Sequence, residues 1–99
     1  GKYLFYDPVL SADSTISCSS CHKQQYAFSD SVRAFSKGIH GANMKRNTLP
    51  LFNLAWYPQL FWDGRASNIE AQVFHPLRAA DEMKINWKKS IRALQKSKI

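Results

Sequence analysis

Two stretches of this chain space their apolar residues for a helix, and none sustains the alternation of a strand. The first opens at Ser67-Asn68-Ile69-Glu70, which has the capping-box form, serine at the cap and glutamate three residues later. It predicts a helix to about Phe74, halted before Pro76, with Ile69 and Val73 on one face. The second runs from about Asn86 to Lys98 and sets Trp87, Ile91 and Leu94 in a stripe with lysines opposite. A short helix over Lys2–Tyr6 should end at Asp7-Pro8, and Ser17 is placed to cap another carrying Cys18 to Lys23. Val9 to Ile16 reads as a turn-rich connection. Ser29 to Asn47 is polar and basic, with Gly38 and Gly41 as breakers, and predicts mostly loop. Leu49 to Leu54 is apolar but interrupted by Pro50, and Phe61-Trp62-Asp63-Gly64-Arg65 reads as an aromatic anchor followed by a turn. No Asn-Gly or Asp-Gly hairpin links two strand-like runs, and no internal repeat is present. The expected fold class is all-α.

Ninety-nine residues make one domain, 1–99. Hydrophobic residues are 44% and aromatics 13%, enough for a packed core. A domain this small still leaves much of its chain at the surface, so a buried cofactor would help by adding its own apolar area. No apolar run reaches the length of a membrane span, so none is expected. No signal peptide is visible: Gly1 falls inside what reads as structured sequence, and any targeting segment is expected to lie outside these residues. Ile99 follows a helix-like segment closely, so the C-terminus also reads as a cut. The formal net charge is +7, concentrated late in the chain at Lys84, Lys88, Lys89, Arg92, Lys96 and Lys98. A solvated face is the first reading of that charge and an acidic partner protein the second. Nucleic acid comes last and is not expected, because no recognised motif accompanies the lysines.

The two cysteines stand three apart, followed directly by histidine: Cys18-Ser19-Ser20-Cys21-His22. A disulfide across so tight a loop would restrict the unfolded chain little. On a helical turn the three residues share a face, where two thiols can form thioethers to a haem and the imidazole can bind its iron. The alternatives are a redox pair, a zinc site and a chance match. A redox pair should follow a strand within a βαβ unit, and none is found. Zinc would need His40 or His75 besides His22, and those lack the compact spacing of a second ligand pair.

The wider pattern resembles the N-terminal domain of bacterial di-haem cytochrome c peroxidases and their methylamine-utilisation relatives. The resemblance spans nearly the whole chain. It rests on Leu4-Phe5-Tyr6-Asp7-Pro8 with Leu10-Ser11, Ile16-Ser17 running into the haem motif, Arg46-Asn47, and Leu51-Phe52-Asn53. Phe61-Trp62-Asp63-Gly64-Arg65-Ala66 and the later Gln72, Pro76 and Glu82-Met83 complete it. The haem motif alone is common to many cytochromes, whereas the Trp-Asp-Gly-Arg stretch with these spacings is far more specific.

The resemblance implies a cytochrome c-like domain around one covalent haem c, with Cys18, Cys21 and His22 as its attachment and proximal ligand. It implies the peroxidatic half of a two-domain enzyme that reduces hydrogen peroxide to water. Electrons would come from a small donor protein, a cytochrome c or a cupredoxin, through a second haem domain absent from these residues. Gln72, Pro76 and Glu82 fall in the family's distal pocket, and Trp62 falls on the tryptophan between the two haems. Asn47 falls on an asparagine that helps bind calcium between the domains. His40 falls close to a loop histidine that in some members caps the distal side of the iron. The location implied is the periplasm, and a homodimer is a further expectation. From the residues alone, Glu82 reads first as a surface glutamate near a helix start, while Gln72 has the alternative of a solvent-facing helix residue, Trp62 of core and His40 of an exposed loop histidine. His75 is expected to be structural or solvent-facing, and Phe5, Phe28, Phe52 and Phe61 to pack against haem or in the core. Met44 and Met83 are soft enough to ligate iron but are left unassigned. The rival reading is a mono-haem electron-transfer domain with a fixed sixth ligand and no catalysis.

Overall fold

The computed structural model describes residues 1–98. Among the described residues four helices form an all-α domain: α1 (Lys2–Tyr6), α2 (Cys18–Cys21), α3 (Ile69–Arg78) and α4 (Trp87–Lys96). Short 3-10 turns and long loops join them. Isolated antiparallel bridges pinch three of these loops, pairing Lys23 with Ser29, Lys37 with Asn43 and Leu60 with Ala66. None of the helices is long and apolar enough to cross a membrane, among the described residues.

The chain closes on itself through its two ends. Asp7 stops α1 in extended backbone and accepts the Val9 N–H on its side chain at 2.8 Å, turning the chain into a 3-10 turn over Pro8–Leu10. That turn packs against α4, where the buried Ser90 hydroxyl donates to the Val9 carbonyl at 2.9 Å. Beside it Lys89 donates to the Ala12 carbonyl at 2.9 Å. The buried apolar set is small: Ile39, Leu60, Ala66, Leu77 and Met83. Trp87 and Ile91, on the expected stripe of α4, stay 42% and 50% exposed, so this chain alone does not bury that stripe.

The helix expected to start at Ser67 and halt before Pro76 differs at both ends. Asn68 is the cap, its Oδ1 accepting the Ala71 N–H at 2.7 Å, so the helix starts one residue later than the Ser67 capping box predicts. At the other end α3 runs through Pro76 to Arg78. Proline removes only one helical donor there. The last-turn carbonyls find partners in the chain that folds back over them: Met83 N–H donates to Pro76 O at 3.2 Å and Ile85 N–H to Leu77 O at 2.7 Å. Burial of Leu77 anchors the same turn. The segment from Ser29 to Asn47 is mostly loop as read, with one 3-10 turn over Ile39–Gly41.

Candidate haem site

Ser17 begins α2 with its N–H donating to the Ser20 hydroxyl at 3.0 Å, which fixes the turn carrying both cysteines. The helix is a single turn. His22 caps it with φ −105° and ψ 83°, although its N–H still reaches the Cys18 carbonyl at 2.9 Å. Cys18, Cys21 and His22 are all half-buried.

The chemistry of the three groups discriminates between the readings. Both thiols are free of a disulfide. Burial pushes both above the ordinary cysteine range, and the nearby carboxylates of Asp30 and Glu82 push Cys21 further. A redox-active pair depends on the opposite shift, toward thiolate. His22 Nδ1 lies 2.8 Å from the Phe28 carbonyl oxygen. A carbonyl only accepts, so Nδ1 carries the hydrogen and Nε2 carries the lone pair that a metal takes. Burial lowers the His22 pKa against the pull of the Phe28 and Leu49 backbone, which favours the neutral, ligating imidazole. Two free thiols and an imidazole oriented through its Nδ1, close together on one turn, fit a covalently held haem. Among the described residues no three His, Cys, Asp or Glu side chains gather as a metal cluster.

The residues expected on the distal side fall into two joined groups. Gln72 and Pro76 lie one turn apart on α3, both half-buried. The Pro76 carbonyl binds the Met83 N–H, which brings Glu82 up against the end of that helix. Burial pushes the Glu82 carboxyl above its ordinary value; Asp81 adds to the rise and Arg65 opposes it. The Glu82 carbonyl in turn accepts the Ile39 N–H at 2.9 Å, tying the His40 loop to the same place. The His40 ring itself faces outward. Its side chain is 74% exposed, with Nδ1 3.7 Å from Asp13 Oδ2, on a backbone of positive φ.

Trp62 and Asn47 meet directly, the indole N–H donating to the Asn47 carbonyl at 3.0 Å. The Asn47 amide donates to the Ala34 carbonyl. Trp62 is 60% exposed, so the reading of it as core is corrected: its ring lies at the surface, held by its nitrogen. Phe52 is likewise 46% exposed and does not join the core. Phe61 is half-buried, with the Arg65 guanidinium 3.5 Å from its centroid and the His75 ring in a T-shaped contact at 5.1 Å between centroids.

Sequence reasoning missed Asp30. It is buried, its carboxylate bound by Lys23 Nζ at 2.8 Å and by the Ser36 hydroxyl at 2.9 Å. The available signal was that it is the lone acidic residue in the basic stretch 29–47.

The description of the di-haem cytochrome c peroxidase family matches residues 1–99. The chain is 42% identical over 87 residues to the methylamine utilization protein MauG of Methylorubrum extorquens, covering 87% of this chain and 24% of that protein. It is 38% identical over 97 residues to the cytochrome c peroxidase Ccp of Escherichia coli, covering 97% of this chain and 21% of that one. Among solved structures, a MauG-like protein associated with microbial copper homeostasis superposes with a TM-score of 0.88 at 35% identity, over 95% of this chain and 28% of the other. The chain therefore spans about a quarter of the length of such relatives. It belongs to the di-haem cytochrome c peroxidase family.

Proposed function

We propose that residues 1–99 form the peroxide-reducing haem domain of a longer two-domain protein, exported to the periplasm. Family membership implies covalently bound haem c. The observation that carries the assignment to this turn is the pairing of two free thiols with a neighbouring His22 whose Nδ1 is engaged by Phe28. Cys18 and Cys21 would hold the haem by thioethers and His22 Nε2 would take its iron. When bound, the haem would supply the redox-active iron at which peroxide is reduced.

Glu82 acts as the acid–base group. A base must take the proton of the incoming peroxide and deliver it to the leaving hydroxyl, and a carboxyl raised toward neutrality suits both halves of that task. Its elevated pKa comes from burial beside Asp81. Gln72 offers an amide that hydrogen-bonds the substrate oxygens, and Pro76 presents an apolar ring that keeps water out. Trp62, exposed and held through its indole nitrogen, is available to pass electrons toward a second haem domain. A small donor protein, a cytochrome c or cupredoxin, would supply them. Asn47 would offer its amide oxygen to a calcium ion whose other ligands come from the rest of the protein. His40 would need to swing its ring away from Asp13 to reach the iron, a movement its exposure permits.

The test uses the haem-loaded full-length protein. Reduced protein should bind carbon monoxide at the haem of this domain and consume peroxide with a reduced donor. A haem here that binds neither carbon monoxide nor peroxide overturns the reading in favour of the electron-transfer domain.

A further inference from the structure

Ala27 and Phe28 take consecutive positive φ values of 54° and 59°. Side-chain-bearing residues are strained there and persist only where their surroundings over-determine them. The strained pair turns the Phe28 carbonyl onto His22 Nδ1. Its backbone is gripped on both sides: Phe28 N–H donates to Lys23 O at 2.9 Å, and Lys23 N–H to Ser29 O at 3.1 Å. The Ser29 hydroxyl reaches the Thr48 carbonyl at 2.7 Å.

Beneath this loop sits the Asp30 carboxylate. One oxygen takes Lys23 Nζ at 2.8 Å and the Val32 N–H at 3.3 Å. The other takes the Ser36 hydroxyl, which also meets Thr48 Oγ1. Lys23, the residue that anchors the loop by its backbone, is thus anchored by its own side chain.

We propose that Asp30, held by Lys23 and by a Ser36 hydroxyl that Thr48 meets in turn, is a positioning residue that keeps the Phe28 carbonyl on His22 and so sets the donor strength of the iron ligand. The proposal rests on His22 being that ligand. A histidine that donates its second N–H to an oxygen is a more basic ligand and favours ferric iron. Loosening the clamp weakens that bond and favours ferrous iron.

The experiment compares the haem-loaded full-length protein with Asp30→Asn, Ser36→Ala, Thr48→Val and Thr48→Ser. Asp30→Asn should shift the ferric–ferrous equilibrium of this haem about tenfold toward ferrous, about 59 mV for one electron, and lower the iron–histidine stretching frequency. Ser36→Ala and Thr48→Val change no charge and should shift both readouts the same way by less, with Thr48→Ser restoring them. A shift in Asp30→Asn with none in the two neutral variants means that charge alone acts, and overturns the proposal. Unchanged readouts in all variants overturn it as well. If the unmodified protein carries no haem at this motif, the haem reading fails separately, and nitrogen NMR of His22 decides the clamp. Loss of its protected Nδ1–H in Thr48→Val supports the clamp, and an unchanged signal refutes it.

Discussion

A β-carbon built on Gly38 would lie 1.8 Å from the carbonyl oxygen of Asp81. The clash is with backbone, so no side-chain rotation relieves it. The adjacent Ile39 N–H bonds the Glu82 carbonyl, so the same close approach seats Glu82. Gly38→Ala should therefore destabilise the protein by about 3 kcal/mol, the upper end for forced overpacking. Urea unfolding of the haem-loaded protein measures it, and a loss under about 0.5 kcal/mol would mean that the two segments separate freely.

Lys23 and Asp30 give a second stability prediction. Burial alone would raise the Asp30 carboxyl, but Lys23, Ser36 and the Val32 N–H together hold it below its ordinary value. A carboxyl that titrates lower when folded stabilises fully above the unfolded carboxylate range and loses that contribution as pH falls through its folded value. Lys23→Ala should cost about 3 kcal/mol at neutral pH, the lower end for breaking a buried pair, because Lys23 keeps 25% side-chain exposure. It should also flatten the acid limb of the stability–pH curve, which denaturant midpoints across that range would show.

Ala27 is strained by its positive φ, and glycine adopts that conformation freely. Ala27→Gly should raise stability by about 1 kcal/mol while leaving the His22–Phe28 bond in place. A thermal midpoint that falls instead would show that the backbone there is not strained.

Glu82 should govern the pH dependence of turnover. As the proposed base, Glu82 would work only when ionised, so peroxide reduction should fall as pH drops through its raised pKa. Glu82→Gln should keep haem and fold but lower kcat by about 10²–10⁴ and remove that limb. Steady-state rates over pH read both effects.

The motif and the general architecture were legible because each is local. Cys18, Cys21 and His22 are close in sequence, α1 falls over Lys2–Tyr6 as read, and α4 follows its amphipathic spacing. The passage of α3 through Pro76 was not legible, because the donors that satisfy its last turn come from Met83 and Ile85 beyond it. The clamp on the proximal loop was hidden for the same reason. Lys23, Asp30, Ser36 and Thr48 have no periodicity and no shared element, and only folding shows that Lys23 and Ser36 meet the Asp30 carboxylate while Thr48 meets Ser36. Trp62 was misjudged by residue type. Aromatics are buried on average, yet its indole nitrogen is tied to Asn47 at the surface.

Peptide mapping of the exported full-length protein addresses the haem assignment most directly. The fragment spanning Cys18 to His22 should carry the mass of one porphyrin, retained through acid extraction, and Cys18→Ser with Cys21→Ser should abolish it. A fragment of unmodified mass in protein whose other haem is loaded would contradict the account.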